Sequence, residues 1–407
     1  MNEYEHLLQL ILDVGVEMIR CGAETHRVED CLYRLCSGYG FRQCNIWVIP
    51  SNIQASVLTP NENCLTQVRH IRGCGIDFSR LDALNALSRQ ACAEHLSSSD
   101  FGHRLSKITE SASQKKWGFY LGGMLAGGGF GIFFNCDLAD ALAASLISLL
   151  VAFLIRKIEK VETNPLIVNF VVSLLSESLI IFSVRHGLGH HVGYVAAGVV
   201  MLLISALGTT NGIRDLIRLD TLSGVMNISA SLTGAIGIAL GIVLPLRLFL
   251  QDGPNEIMVL NPNIKLELVA CTVGCFGFSL WFHVKAKHIP WCALGAFITW
   301  SVYSLCTILS FGTFGAALVG AIVCSFYAQI MARTNKAPAT IFQTVAIFPM
   351  IPGAALYYFV YGLVIGNLPF ALEKGLALLL SCFGIVLGFL LVQVLSHFLW
   401  PISNMNH

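Results

Sequence analysis

Beyond residue 116 the sequence is built almost entirely of long apolar runs separated by short polar loops. A hydrocarbon core about 30 Å thick is crossed by roughly 20 apolar residues in a helix, and ten of the runs come close to or exceed that length. They therefore predict a polytopic α-helical membrane protein. The ten predicted spans are 117–134, 138–155, 165–184, 188–208, 222–249, 266–284, 289–309, 312–332, 339–366 and 375–399.

Charge divides the chain into two parts of different composition. Residues 1–116 carry 25 of the 49 charged side chains, although the whole chain is only 12% charged. We therefore predict a small α+β domain at 1–116, a first membrane unit of five helices at 117–249 and a second unit of five helices at 266–400. The net charge of +1 gives no reason to expect nucleic acid as a partner, whereas the composition demands a lipid bilayer.

The distribution of Lys and Arg predicts which side of the membrane each end faces. The N-terminus has no basic region, and Gln9 and Asp13 interrupt its apolar stretch, so it is not a signal peptide and the first domain is expected in the cytoplasm. In that orientation eleven Lys and Arg residues flank the inner ends of the spans and four flank the outer ends, as the positive-inside rule requires. Ten spans place the C-terminus in the cytoplasm as well.

Two stretches of the membrane part resemble each other and predict an internal repeat. Residues 139–168 and 315–342 each contain a helix rich in small residues, a short basic loop, a proline and the start of another apolar helix. This match pairs the first span with the seventh, which run in the same direction, and so predicts a parallel repeat about an axis along the membrane normal. Repeats are the usual architecture of secondary transporters, with the site at the repeat interface.

Within the N-terminal domain, helical periodicity alternates with the period of two that is typical of strands. Thr25 is placed to cap the second helix. Seven cysteines include no C-x-x-C pair, so we interpret them as reduced structural thiols and expect no metal or cofactor. The predicted elements are helices within 4–22, 23–40 and 79–96 and strands within 41–58 and 64–71.

A polar cluster lies at the start of the second helix. No nucleophile–base spacing or metal motif accompanies it, so we favour a structural, regulatory or gating role over a hydrolytic one. The cluster consists of Glu24, His26, Arg27, Glu29 and Asp30.

A segment of the membrane part that carries charges of both signs is an arginine–aspartate motif at residues 211–220, NGIRDLIRLD, with four charges within seven residues. One interpretation is an interfacial loop helix in which Asp215 and Arg218, three residues apart, form an ion pair. The other is a cytoplasmic gate or vestibule that offers donors to a carboxylate-bearing solute. The candidate residues are Asn211, Arg214, Asp215, Arg218 and Asp220.

The ninth predicted span contains Pro349, Pro352 and Gly353. Each proline removes a helical hydrogen bond, and broken helices survive at membrane depth only where protein or a water-filled cavity satisfies the backbone. The segment is therefore either a structural kink or a break that lines a solute site. The seven glycines of 117–133 are interpreted first as a close-packing surface and alternatively as an unwound segment.

Glu177 is a carboxylate well inside the third span, flanked by two serines. An ionisable residue at that depth is a functional hypothesis by default, and Glu177 is the candidate for carrying a coupling proton, with a simple interhelical pair as the alternative. Asp137 and Asp140 are expected to be solvated or to cap a helix at the outer face, where His190 and His191 also lie.

Four stretches resemble the threonine/serine exporter family: GAETHRVEDCL, DFSRLDALNALSR, NGIRDLIRLDTLSG and APATIFQTVAIFPMIPGAALYY. The resemblance covers nearly all of the chain. It implies a bacterial inner-membrane protein in which a cytosolic domain precedes five spans and a second unit supplies the rest. Some members divide the two units between separate proteins, and such pairs are associated with succinate export. The resemblance also makes the arginine–aspartate motif and the proline break the best candidates for pathway or gate residues.

We therefore predict a secondary active exporter, not an enzyme, that works by alternating access and is driven by the proton gradient. Its partners would be protons and amino acids of the threonine/serine type. Export of small dicarboxylates such as succinate is the alternative, and a passive channel or a membrane-bound hydrolase using the N-terminal cluster are remoter ones. The chain has no P-loop motif. Whether it forms a homo-oligomer is left open.

Overall fold

The computed structural model describes residues 3–73, 75–110, 116–204, 206–249 and 263–399, and the fold is mostly helical. The N-terminal part consists of four helices and one antiparallel sheet in the order β1-β2-β3. Its helices are α1 (Glu3–Arg20), α2 (Thr25–Gly38), α3 (Phe78–Glu94) and α4 (Ser98–Glu110), and its strands are β1 (Arg42–Ile49), β2 (Asn52–Leu58) and β3 (Cys64–His70).

These elements match the pattern of the sequence with two differences. The helix α4 was not predicted, and Thr25 is the first residue of α2 rather than its cap, because Glu24 occupies the cap position. A tight turn joins β1 to β2, with Ile49 opposite Asn52. The cysteines that the structure describes are free thiols, and burial raises the pKa of the Cys21 thiol to about 12, which makes it inert.

The apolar core of the N-terminal part continues into the membrane part. Phe78 at the start of α3 stacks edge-on against Phe282, with 5.8 Å between the ring centroids, and its amide donates to the Phe282 carbonyl at 3.0 Å. Both rings are almost fully buried. The N-terminal part is therefore docked on the helical bundle through a shared core.

The membrane part contains twelve helices among the described residues. They are α5 (Lys116–Phe133), α6 (Leu138–Ile158), α7 (Pro165–Arg185), α8 (Val192–Val200), α9 (Ala206–Ile217), α10 (Thr221–Phe249), α11 (Ile264–Trp281), α12 (Ile289–Ile308), α13 (Gly312–Asn335), α14 (Ala339–Ile347), α15 (Gly353–Val364) and α16 (Leu368–Leu399).

Seven of these helices are long and apolar enough to cross a membrane, namely α6, α7, α10, α11, α12, α13 and α16, and the bent pair α14–α15 makes eight. Their outer surfaces are apolar: on α6, Leu138, Leu142, Leu146 and Phe153 are all at least 47% exposed. Such a stripe suits lipid rather than water. The count of ten spans stays a prediction. The predicted first span, α5, and the predicted fourth span, which is divided into α8 and α9, are not among these eight.

The first helices of the two membrane units, α5 and α11, pack against each other without intervening side chains. A Cβ added at Gly122 would lie 2.7 Å from the Gly277 carbonyl oxygen, and one added at Gly129 would lie 2.7 Å from the Gly274 nitrogen. Residue numbers rise along α5 as they fall along α11, so the two helices are antiparallel. The glycines of α5 therefore form the close-packing surface that was the first of the two interpretations.

The same glycine contact occurs once in each unit. Gly237 and Gly241 of α10 approach the carbonyl oxygens of α7, and Gly384 and Gly388 of α16 approach those of α13. An added Cβ would meet these oxygens at 2.4, 2.6, 2.7 and 2.8 Å, at Leu166, Phe170, Phe314 and Leu318 respectively. This match pairs α7 with α13 and hence α5 with α11, whereas the predicted parallel repeat paired the first span with the seventh. The glycine contacts thus relate the units differently from the predicted parallel repeat, which stays a prediction.

Two of the predicted spans are broken helices. The ninth divides into α14 and α15, which meet at an angle of 52° after a 3₁₀ turn at Phe348–Met350. The fourth was predicted as one helix but ends at Val200 and resumes at Ala206. The resumed helix α9 includes the first seven residues of the arginine–aspartate motif, so the motif is not a separate loop helix.

Candidate functional site

The arginine–aspartate motif lies where α9 meets α10 and the N-terminal part. Gly212 allows the contact with α10, since a Cβ there would lie 2.8 Å from the Gly224 carbonyl oxygen. Arg214 and Asp215 at the end of α9 are each only 5% exposed. These charges are therefore enclosed by protein rather than spread at the membrane surface.

Arg214 binds a carboxylate from the N-terminal part. Its Nη1 lies 3.0 Å from Oε1 of Glu24, and the two side chains are 6% and 11% exposed. Its Nη2 donates to Oδ1 of Asn211 at 3.1 Å. The ion pair joins two motifs that are far apart in the sequence and that were singled out separately.

The remaining charges of the motif connect α9 to two further helices. Asp215 accepts hydrogen bonds from the Ser223 hydroxyl at 2.8 Å and from the Asn227 amide at 3.1 Å, both on α10. Arg218 donates to the Gln393 side chain on α16. Asp215 and Arg218, which were expected to form an ion pair, interact electrostatically, but each side chain is hydrogen-bonded to a different helix. Asp220 lies outside this network and is exposed.

The polar cluster of α2 does not converge on one point. Glu24 faces Arg214 and Arg27, whose Nε lies 3.3 Å from its Oε2; burial raises the pKa of Glu24, but Arg214 and Arg27 outweigh it and lower that pKa to about 2. Glu29 accepts from the Val48 amide at 3.0 Å and anchors β1. His26 and Asp30 lie 3.8 Å apart on the exposed side. The residues of the cluster therefore have separate partners.

Three further contacts hold the N-terminal part against the bundle. Lys285 pairs with Asp82 at 2.6 Å, Phe282 accepts from Phe78, and Arg89 donates to the Lys336 carbonyl at 3.2 Å. These contacts reach the α11–α12 and α13–α14 connections, and Arg214 lies at the end of α9. Those three places therefore share one face of the bundle, as the predicted alternation of spans requires.

The break in the ninth span is enclosed by protein. Pro349 is buried, and Pro352 takes the position before the first residue of α15, Gly353. Beyond the break, Leu356 packs in a cluster that includes Ile213 of α9 and against which Ile204, in the break of the fourth span, also packs. The second halves of the two broken helices thus contribute to one buried cluster, and α9 and α15 each pack on both α10 and α16.

Glu177 lies near the second half of the broken ninth span. The residue is only 1% exposed, and it interacts electrostatically with the hydroxyls of Tyr357 and Tyr361 on α15. Tyr357 packs among the apolar side chains of α7. The carboxylate and the broken helix that were singled out separately from the sequence are therefore neighbours.

On the opposite side of the bundle, Asp137 caps α6 by accepting from the Asp140 amide at 2.8 Å. Asp140 is not solvated, because it is fully buried and accepts from the His190 and His191 amides. The His190 Nδ1 lies 2.5 Å from Asp137, and the His191 Nδ1 lies 2.9 Å from Asp140. Hydrogen bonds to the Asp140 amide and to His190 lower the pKa of Asp137. This cluster fixes the α7–α8 connection onto α6.

Two of these features carry almost no local sequence signal. Residues 201–204, which follow α8 and are not helical, contain no proline or glycine. The pairing of Glu24 with Arg214 depends on docking, which spacing does not reveal. The one available signal was that Glu24 and Arg214 each belong to a short segment in which charged residues are concentrated.

An α+β layer docked on a bundle of apolar helices, two of them broken at its centre, defines a polytopic membrane protein of the solute-transporter kind. A model described as "Putative threonine/serine exporter" matches residues 9–249, and a second, described as "Threonine/Serine exporter, ThrE", matches residues 267–395. The chain belongs to the threonine/serine exporter family.

One curated relative extends the match over both units. The chain is 24% identical over 418 residues to a protein of Mycobacterium tuberculosis (strain ATCC 25618 / H37Rv) named "Probable threonine/serine exporter", with 96% of this chain and 77% of the relative covered. No solved structure matches this chain significantly.

Proposed function

We propose that the protein exports small polar metabolites, with amino acids of the threonine/serine type as its substrates and the proton gradient as its driving force. The observation that carries this proposal is that the two broken helices, α8–α9 and α14–α15, place their second halves in one buried cluster between α10 and α16. Half-helix ends expose backbone groups that bind the charged groups of a solute. The family match supports export of small metabolites, and the relative's name supports this substrate class.

The glycine contacts support an arrangement of the two units as an inverted repeat. The α7–α10 contact matches the α13–α16 contact, and the first helices of the units are antiparallel. The two units of an inverted repeat are related by an axis in the membrane plane. The transport core is therefore built in the same way towards both sides of the membrane. Alternating access then follows from exchange of the two units' conformations around the central breaks.

Glu177 is proposed as the proton-linked residue. A carboxyl group at membrane depth in a transporter commonly carries a proton, and its neighbours Tyr357 and Tyr361 belong to the broken helix. Protonation would change the interaction between α7 and α15. This coupling would connect proton movement to the opening of the solute path.

The network around Arg214, Asp215 and Arg218 is proposed as the cytoplasmic gate. It joins α9 to α10, to α16 and to the N-terminal part, so α9 moves only when these pairs are exchanged. Asn211 supports Arg214 within it. The protein would lie in a bacterial inner membrane, with the N-terminal part and the C-terminus on its cytoplasmic side.

An efflux screen tests the proposed substrate class. Cells that lack their own exporters and express this chain should release threonine and serine faster than cells expressing the empty vector, and a protonophore should abolish the difference. Release of succinate in place of the amino acids would select the dicarboxylate alternative. Release that the protonophore leaves unchanged would contradict proton-driven export and favour a passive channel.

A further inference from the structure

Arg214 is only partly used as a carboxylate-binding group in this structure. Glu24 contacts Nη1 alone, and Nη2 donates to Asn211. Within the described part of the chain, the buried Nε has no hydrogen-bond partner. A guanidinium holds a carboxylate best through two parallel N–H groups, and a buried donor without an acceptor is unfavourable. Arg214 therefore has the capacity to bind a carboxylate more completely than Glu24 does.

Glu24 reaches Arg214 at the expense of its own helix. It occupies the cap position of α2 in an extended conformation, yet its side chain makes no capping hydrogen bond. The next residue, Thr25, also has a buried hydroxyl without a partner among the described residues. The start of α2 is thus arranged to present a carboxylate to α9 rather than to stabilise α2.

The charges that interact at this interface leave a surplus of positive charge. Glu24 interacts with the guanidinium groups of Arg214, Arg27 and Arg218, and Asp215 interacts with Arg214. Around the Glu24–Arg214 pair itself, three cations therefore face two carboxylates even with Glu24 in place, while Asp220 interacts with Glu29 of α2. Withdrawal of Glu24 would leave a site suited to a carboxylate from elsewhere.

We propose that Arg214 binds the carboxylate of the exported solute and that Glu24 occupies this position as a tethered competitor until the solute displaces it. The proposal rests on the proposed export function and names the ligand class of its inner site, a small α-amino acid or short dicarboxylate. A solute carboxylate takes Nε together with an Nη group, which Glu24 does not. Its arrival releases Glu24 of α2 from Arg214 of α9, so solute binding itself removes one of the contacts that hold the gate.

Equilibrium binding to the purified full-length protein tests the competition. The probes are L-threonine, L-serine and succinate, and the variant is Glu24→Gln, which keeps the shape of the side chain and removes its charge. Removal of a competitor raises the apparent affinity by the reciprocal of the fraction of sites that the competitor had left free. We expect the variant to bind a carboxylate probe on the order of tenfold more tightly than the wild type.

Two controls separate competition from a general loss of charge or of docking. Asp30→Asn removes a carboxylate from the exposed side of the same helix and should leave the affinity unchanged. L-threonine methyl ester lacks the carboxylate, so Glu24→Gln should not improve its binding. Carbodiimide cross-linking of Lys285 to Asp82, which lie 2.6 Å apart, reports whether the N-terminal part remains docked in each variant.

The outcomes distinguish this proposal from the proposed function. Tighter succinate binding by Glu24→Gln, without any threonine or serine export, would support the competition while refuting the amino-acid substrate. An unchanged or weaker affinity for every carboxylate probe, in a docked variant of a protein that exports threonine, would overturn the competition alone. An equal gain in Asp30→Asn, or an equal gain for the methyl ester, would also overturn it.

Discussion

Glu24 and Glu177 are both buried carboxyl groups, but their surroundings differ. Glu24 faces two guanidinium groups, whereas the groups that interact with Glu177 are tyrosine hydroxyls. A carboxylate beside cations stays charged across the physiological range. The two residues therefore suit different roles: Glu24 as a permanent anion at the gate, and Glu177 as the group that exchanges a proton.

Replacing Glu177 by Gln should abolish proton-coupled efflux while leaving expression and folding intact, because the amide keeps the side-chain shape but cannot exchange a proton at neutral pH. The measurement is solute efflux from proteoliposomes with and without a pH gradient. Glu373→Gln, at an exposed carboxylate beside Lys374, is the matched control and should transport as the wild type does. Retention of full coupling by the Glu177→Gln variant would remove Glu177 from the mechanism.

The Glu24–Arg214 pair should contribute to stability with a defined pH dependence. The pKa of Glu24 is lowered from 4.5 to about 2, so its stabilising contribution is fully present above pH 4.5 and is lost as the pH falls toward 2. The difference in thermal unfolding midpoint between wild type and Glu24→Gln should therefore stay constant from pH 8 to about 5 and shrink below 4.5. Disappearance of the difference between pH 7 and pH 5 would show that Glu24 is not held charged by Arg214.

At the scale of elements, backbone contact between helices organises the bundle. Glycines bring α5 against α11, α10 against α7 and α16 against α13. Helices packed through glycine have little room for side-chain adjustment, so they act as rigid pairs. The broken helices α8–α9 and α14–α15 lie between these pairs and are the elements with freedom to rearrange.

Two glycines of α5 should respond differently to the same substitution. At Gly129 an added methyl group would lie 2.7 Å from the backbone of Gly274, whereas at Gly118 it meets nothing within 4 Å. Gly129→Ala should therefore destabilise the protein by about 1–3 kcal/mol, and Gly118→Ala should be neutral or slightly stabilising. Thermal unfolding in one detergent measures both. Equal tolerance of the two substitutions would contradict the α5–α11 contact.

The sequence predicts elements better than it predicts their contacts. Apolar length identified α6, α7, α10, α12 and α13, and two prolines identified the break before α15, because both signals are local. The break after Val200 has no such signal and arises from packing. The partners of Glu24, Asp215 and Arg218 depend on which helices become neighbours, so spacing along one helix did not reveal that Asp215 and Arg218 are hydrogen-bonded to different helices.

At the scale of the whole molecule, the N-terminal part is a component of the transport unit rather than a separate appendage. Its core is continuous with the bundle at Phe78 and Phe282, and its charges reach α9 and the α11–α12 connection. With the proposed gate, a layer docked in this way would sense the position of α9 directly. This explains physically why a transporter would keep an α+β layer over one end of its bundle.

The proposed orientation predicts which loops a protease reaches. A cleavage site inserted beside Val161 should be protected in intact cells and cut in inverted membrane vesicles, and one beside Leu188 should behave in the opposite way. Both positions are exposed, at 89% and 65%, so access is limited only by the membrane. Cleavage of both sites from the same side would refute the crossing of α7.

The most direct test of the account is transport of radiolabelled L-threonine by the purified protein in proteoliposomes with an imposed pH gradient. The account predicts movement of threonine against its own concentration gradient, driven by the pH gradient and stopped by a protonophore. Movement only down the threonine gradient, at a rate that the pH gradient does not alter, would contradict it.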